Sequence, residues 1–244
     1  MAIYFISDLH LIDQRPDITR AFFRLLDQIE SDCNHLYILG DFFEIWLGDD
    51  ALTETALAVA EKLSALSLKN SRISIMHGNR DFLIGNEFAQ RCNACIIDEP
   101  YILDLFGRRT LLMHGDTLCT EDSLYMDFRR MVRNKDWQQD FLAKSLDERI
   151  AFGKKARNQS KIDAQDKSYT ILDVTPDEVI KVMQEYNVDL LIHGHTHRPH
   201  RHPVSLFNNT KTAERIVLGD WHLLGWYLRC DDSTLELCTL PLAP

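Results

Sequence analysis

The chain has 244 residues, 45% of them apolar, and a formal net charge of −10. That length suits one large α/β domain and is short for two independent ones, and no apolar run approaches the roughly 18 residues of a membrane span. The amino terminus lacks a charged region ahead of an apolar stretch, so the protein is expected to stay in the cytoplasm, and the acidic balance argues against nucleic acid as a partner, since a phosphate backbone is held by a basic face.

The first apolar run, 3–6, reads as a buried strand that delivers Asp8-Leu9-His10 at its carboxyl end, where open α/β sheets bind their ligands. Pro16 starts a helix whose apolar residues Ile18, Phe22, Leu25, Leu26 and Ile29 recur at helical spacing. A second strand at 36–39 ends at Gly40-Asp41. A helix over about 51–68 follows, and then a strand at 73–76 that ends at Gly78-Asn79-Arg80-Asp81. Strand-like 96–97 precedes a hairpin, 101–106 and 110–113, turned by Gly107-Arg108-Arg109 and leading straight into His114-Gly115-Asp116. After a long insertion, Thr175-Pro176-Asp177-Glu178 reads as a capping box opening a helix through Tyr186. A short buried strand at 189–192 feeds Gly194-His195-Thr196-His197, and 216–218, 226–229 and 234–240 alternate like sheet strands. The six scattered cysteines read as reduced residues; Cys92 and Cys95 form a lone CxxC with no redox context.

Five predicted strand ends thus carry Asp8, His10, Asp41, Asn79, His114, His195 and His197. Together these donors supply imidazole nitrogen and carboxylate or amide oxygen but no sulfur, which suits Mn²⁺, Zn²⁺ or Fe. Seven ligands exceed what one tetrahedral ion can use. Two ions share a ligand, and Asp41, a carboxylate with two oxygens, is assigned the bridge. Histidines 35, 77, 200, 202 and 222 lack such company and default to packing or solvent.

These motifs resemble the calcineurin-like metallophosphoesterases, and the resemblance implies an α/β/β/α fold, a two-sheet β-sandwich flanked by helices, with two ions bridged by an aspartate and a hydroxide. Carried onto this chain, one ion takes Asp8, His10, Asp41 and His197, and the other takes Asp41, Asn79, His114 and His195. One departure is informative. Arg80 stands where phosphomonoesterases of the family have a histidine that protonates the leaving group, and an arginine, with a pKa above ~12, cannot do that but can grip phosphate bidentately. A phosphate monoester leaves with a second pKa near ~6 and hardly needs the proton, so Arg80 is the candidate catalytic residue for cleaving a P–O–P bond.

The insertion, 118–174, interrupts a core made of 1–117 and 175–244. Between Arg129 and Lys161 it carries ten Lys/Arg against four Asp/Glu, interleaved with Trp137, Phe141, Leu142, Leu146, Ile150 and Phe152. A basic amphipathic helical segment in an acidic chain reads as a surface for an anionic lipid or lipid-like substrate. Gly-Asn-Arg-Asp-Phe-Leu at 78–83, Met-His-Gly-Asp-Thr-Leu-Cys-Thr at 113–120 and His-Gly-His-Thr-His-Arg-Pro at 193–199 closely resemble the UDP-2,3-diacylglucosamine pyrophosphatases of lipid A biosynthesis, over essentially the full length. That resemblance implies a helical cap cradling two acyl chains, with substrate contacts at Asn79, Arg80, Asp122, Arg157, Ser160, Lys167 and His195. Glu121, where aspartate is common, and Ala164, where asparagine is expected, depart from the pattern. The implied reaction is attack by a hydroxide bridging two Mn²⁺ on the α-phosphorus, giving UMP and 2,3-diacylglucosamine 1-phosphate. A monomer visiting the cytoplasmic face of the inner membrane peripherally is expected. Two rivals are a general phosphoesterase of the same fold, acting on nucleotides or phosphoproteins, and a non-catalytic scaffold with eroded ligands.

Overall fold

The structure, a computed structural model, describes residues 1–166, 173–206 and 213–243, the side chains of 160–166 excepted. Two sheets face each other. The first contains β1 (Ala2–Ile6), β2 (Cys33–Leu39), β3 (Arg72–Met76), β4 (Cys95–Ile97), β10 (Leu224–Cys230) and β11 (Leu235–Pro241) in the order β11-β10-β1-β2-β3-β4. The second contains β5 (Tyr101–Leu105), β6 (Arg108–Leu112), β7 (Leu190–His193), β8 (His200–Val204) and β9 (Ala213–Val217) in the order β5-β6-β7-β9-β8. β1, β2, β3 and β4 run parallel, as do β6, β7 and β9.

Alternation along each strand separates the layers. Phe5, Tyr37, Leu39 and Met76 point inward to meet Leu112, Leu190, Ile192 and Ile216 of the second sheet. Tyr4, Ile6, Leu36 and Ile38 point outward, under α1 (Pro16–Ile29), α2 (Glu54–Ser67) and α3 (Asn86–Arg91). On the far side Leu111 and Leu191 meet Val179, Val182 and Met183 of α7 (Pro176–Glu185). The result is the expected α/β/β/α sandwich. Three further helices lie within the insertion: α4 (Ser123–Val132), α5 (Lys135–Leu142) and α6 (Leu146–Asp166). Among the described residues no helix is long and apolar enough to cross a membrane. All six cysteines are free.

Several local expectations are corrected. α2 begins at Glu54 rather than near 51, because the Thr53 hydroxyl caps the helix, accepting from the Ala56 N–H at 3.2 Å. The hairpin turns on Phe106 and Gly107, both at positive φ, so Arg108 and Arg109 belong to β6. Thr175 heads α7 without a capping bond: its N–H goes to the Leu118 carbonyl and its hydroxyl accepts from Thr120. α3 and β8 are further elements with no signature in the sequence, being short and without a long apolar period.

His35 on β2 is packing, as expected, and gives the sheet a pH response. Its ring stacks on Tyr37 with centroids 3.9 Å apart, and Nε2 lies 2.9 Å from the Ser74 hydroxyl. Burial, with Arg72 nearby, pushes its pKa down to about 4. The unfolded chain therefore binds the proton first, near pH ~6.5, and stability falls from there toward the folded value; allowing for solvent screening, about 1–2 kcal/mol is lost. Denaturant titrations at pH 7.5 and 4.5 should show His35→Leu losing that much less than the wild type on acidification. An equal loss in both proteins would mean that His35 is not held neutral.

Candidate active site

The parallel strands put all five ligand-bearing loops at one edge of the sandwich. The loops stay paired after the strands end: Asp8 N–H donates to the Gly40 carbonyl, His10 N–H to that of Asp41, and Gly194 N–H to that of His114. The two sheets are joined here by the Asp8 carboxylate, which accepts from the His195 N–H at 3.0 Å. Asp8, His10, Asp41, His195 and His197 all sit at positive φ, between 49° and 66°. Left-handed backbone is sparsely populated by non-glycine residues and clusters at functional sites, where the surroundings hold it in place. Gly78 is required by a close approach, since a Cβ there would collide with the Asp41 backbone nitrogen and carboxylate.

The donor atoms turn toward each other. His10 Nε2 and His197 Nε2 are 3.3 Å apart, and His197 Nε2 is 3.3 Å from Asp8 Oδ1. Asn79 Oδ1 lies 2.9 Å from both His114 Nε2 and His195 Nδ1. Between these groups, Asp41 turns Oδ2 toward His10 Nε2 at 3.9 Å and Oδ1 toward His114 Nε2 at 3.6 Å. Donor atoms of Asp8, His10 and His197, and of Asp8, Asp41 and His114, lie within 4.8 Å of one another. Imidazole nitrogens facing each other leave lone pairs that a cation satisfies better than a second ring does. His114 Nδ1 is 2.9 Å from the Leu39 carbonyl, an acceptor only, so Nδ1 carries a proton and Nε2 faces the centre.

Charge fits a cation as well. Burial would push the Asp8 carboxyl up, but the hydrogen bond from His197 and the surrounding imidazoles hold it well below the ordinary range. Burial would lower His114, yet Asp41, Asp116, Asp8 and Glu99 push it up to about 9. His195 is brought down to about 4 by burial and by His114. Arg129 pairs with Glu99 and Asp116, which leaves the buried Asp8 and Asp41 carboxylates as the negative charge that a divalent ion would balance. Asp81 is the knot beneath: its oxygens accept from the N–H groups of Gly78 at 2.8 Å and Phe42 at 2.7 Å, and burial and Asp41 raise it to about 6.

Beside this centre opens a cavity of about 680 Å³, walled by Trp46, Phe82, Leu124, Phe128, Met131 and Trp137 among others, with Asn79, Arg80 and His195 at its polar end. Arg80 is half-buried. Its N–H donates to Asp41 Oδ1 at 2.8 Å, and its side-chain Nε is buried without a hydrogen-bond partner among the described residues. Asp122 borders the cavity and caps α4, accepting from the Tyr125 N–H. Arg157 also borders it and pairs with Glu44, whose other oxygen lies 3.1 Å from His10 Nδ1. Ser160 is on α6, but its side chain, like that of Ala164, lies outside the described residues, as does Lys167 altogether. Trp137, Phe141 and Phe152 pack on one another and on the core beneath α5 and α6, so the cap residues singled out from sequence serve partly as its own core. Leu124, Phe128 and Met131 on α4, which the sequence reading passed over, wall the cavity.

Residues 1–199 match the calcineurin-like phosphoesterase family. Curated relatives match almost end to end: the UDP-2,3-diacylglucosamine hydrolase of Cellvibrio japonicus is 53% identical, covering 97% of this chain and 98% of the relative. Proteins of the same name from Hahella chejuensis (46% identical; 98% of each chain) and Pseudomonas aeruginosa (44%; 99% and 100%) are similar throughout.

Proposed function

This chain belongs to the calcineurin-like phosphoesterase family and, within it, to the UDP-2,3-diacylglucosamine hydrolases, and from that membership we propose that it hydrolyses UDP-2,3-diacylglucosamine in lipid A synthesis. It is a metal-dependent hydrolase. In our proposal the products are UMP and 2,3-diacylglucosamine 1-phosphate: water adds to the α-phosphorus, the bond from that phosphorus to the bridging oxygen breaks, and the sugar phosphate leaves with the bridging oxygen and the electron pair. The observation that carries this reading is the cluster of Asp8, His10, Asp41, Asn79, His114, His195 and His197 beside an apolar cavity, with the Arg80 Nε buried between them and without a hydrogen-bond partner among the described residues.

Asp8, His10, Asp41 and His197 would hold one ion and Asp41, Asn79, His114 and His195 the other. When bound, two Mn²⁺ would acidify water near neutral pH and neutralise charge on the phosphoryl oxygens. The chain's own groups do the rest. Leu39 fixes the His114 tautomer through Nδ1. Arg80 grips the pyrophosphate and steadies the departing sugar phosphate without giving up a proton. Asp122, Arg157, Ser160 and Lys167 are assigned to the head group. The cavity walls hold the acyl chains, so binding free energy far from phosphorus fixes the pyrophosphate at the metal centre. The acyl-bearing substrate and product make the cap's basic, apolar surface a reversible contact with the inner membrane, and we assign no nucleic-acid partner and no second subunit.

The test is incubation of Mn²⁺-loaded protein with the diacylated UDP-sugar, and with UDP-N-acetylglucosamine, in ¹⁸O water. Label in UMP, with the unacylated sugar turned over far more slowly, is the expected result. Label in the sugar phosphate would move the attack to the other phosphorus. Equal turnover of the two substrates, or fast turnover of simple monoesters, would favour a general phosphoesterase.

A further inference from the structure

Beside His114 lies a buried charged cluster. Glu99, in the loop before β5, accepts with Oε1 from the N–H groups of His114 at 2.8 Å and Gly115 at 3.1 Å. Its other oxygen receives the Arg129 guanidinium at 3.2 Å. The same guanidinium donates through Nε to Asp116 at 2.7 Å, and Asp116 also accepts from the Tyr125 hydroxyl. Asp116 is fully buried and the Glu99 side chain is 8% exposed, and the one guanidinium bridges the two carboxylates, with the His114 imidazole as a further counter-charge. Arg129 and Tyr125 are on α4, the cap helix whose Leu124, Phe128 and Met131 wall the cavity. The Tyr125 ring centroid lies 6.0 Å from that of His195. One helix therefore both walls the apolar cavity, through Leu124, Tyr125, Phe128 and Met131, and grips, through Tyr125 and Arg129, the acids beside a candidate metal ligand, Glu99 holding its backbone N–H.

We propose that Arg129, acting through Glu99 and Asp116, is a positioning residue for the reaction: it couples the seating of the lipid-facing cap helix to the placement of His114 in the metal centre. The proposal rests on the reading of the site as a two-metal lipid pyrophosphatase. A planar guanidinium spans two carboxylates at fixed angles, so it registers helix against loop in a way that a single point charge does not. Movement of α4 on filling of the cavity is thereby felt at the His114 loop, and loss of the ion there loosens α4.

The test uses full-length protein, Mn²⁺ binding followed by the electron-spin signal of the free ion, and steady-state turnover of the diacylated UDP-sugar. Arg129→Gln should weaken binding of the second Mn²⁺ and lower kcat, each by about 10- to 100-fold, the range found for groups that orient ligands from behind, while KM moves by less than about threefold. Arg129→Lys should recover part of both. Glu99→Gln should reproduce the loss, and combining it with Arg129→Gln should add little, because the two act as one unit. A variant with Mn²⁺ affinity and kcat within about twofold of wild type and only a lowered Tm would overturn the proposal and leave Arg129 as a plain pin between cap and core. Arg129→Lys decides if Arg129→Gln does not fold, since wild-type values for both readouts there would be equally fatal. Should the wild type fail to turn over the lipid substrate, the reading of the reaction falls, while the Mn²⁺ titrations still decide the coupling.

Discussion

Asp41→Asn is expected to reduce turnover by at least about 10³-fold with the fold intact, the loss of several kcal/mol of transition-state stabilisation that goes with dismantling a two-ion site. The substitution keeps Oδ1 as an acceptor for the Arg80 N–H, so the loop at 78–81 stays in place. What it removes is the second carboxylate oxygen, which faces His10, and the charge that lets one side chain serve both halves. Metal analysis of the purified variant should show fewer than two ions bound at concentrations that saturate the wild type. Because Asp8, Asp41 and Asp81 are buried close together, and Asp81 is already pushed up to about 6 by burial and Asp41, the metal-free variant should be at least as stable as the metal-free wild type. Activity within tenfold of wild type would remove Asp41 from the bridge.

The convergence of the candidate ligands was legible because its signal is local. Each donor follows directly on an apolar strand, and parallel strands deliver their carboxyl ends to one edge, so the positions of Asp8, Asp41, Asn79, His114 and His195 follow from the alternation of the chain. The layer arrangement followed from the same alternation together with the family resemblance. Groups recruited from remote segments by packing were not legible. Glu99 stands before a proline with no motif around it, and Arg129 is one basic residue in a segment rich in them. Their pairing depends on where α4 is placed against the loops that carry Glu99 and Asp116, which no spacing in the chain encodes. Asp81 and Asp116 stood in the quoted motifs, yet only the structure gives Asp81 three backbone N–H groups and Asp116 its arginine. Thr175 fails for a related reason: a capping motif is a local competition, and Thr120, 55 residues away, wins the hydroxyl.

Arg80→Ala should lower kcat/KM for the diacylated UDP-sugar by about 10²–10³-fold, the effect of deleting one preorganised donor to a developing anion, roughly 2.7–4 kcal/mol. The backbone of Arg80 is held on both sides, its N–H by Asp41 and its carbonyl by the Trp46 N–H at 3.2 Å, so truncation leaves the metal loop where it is. The loss then reads the side chain alone. Arg80→Lys should restore only part of the rate, because an ammonium replaces the charge but not the two-pronged grip on phosphate oxygens. The dependence on the leaving group is the sharper measurement. A sugar phosphate departs as an anion whose second pKa is near ~6, so charge stabilisation is what it needs, and a guanidinium supplies that without proton transfer. An alkoxide needs the proton that a guanidinium withholds. Arg80→His should therefore lose most of the pyrophosphate activity while gaining, relative to wild type, on a phosphodiester with an alcohol leaving group. If Arg80→Ala stays within about tenfold on the lipid substrate, or Arg80→His gains nothing on the alcohol ester, the handling of the leaving group lies elsewhere in the site.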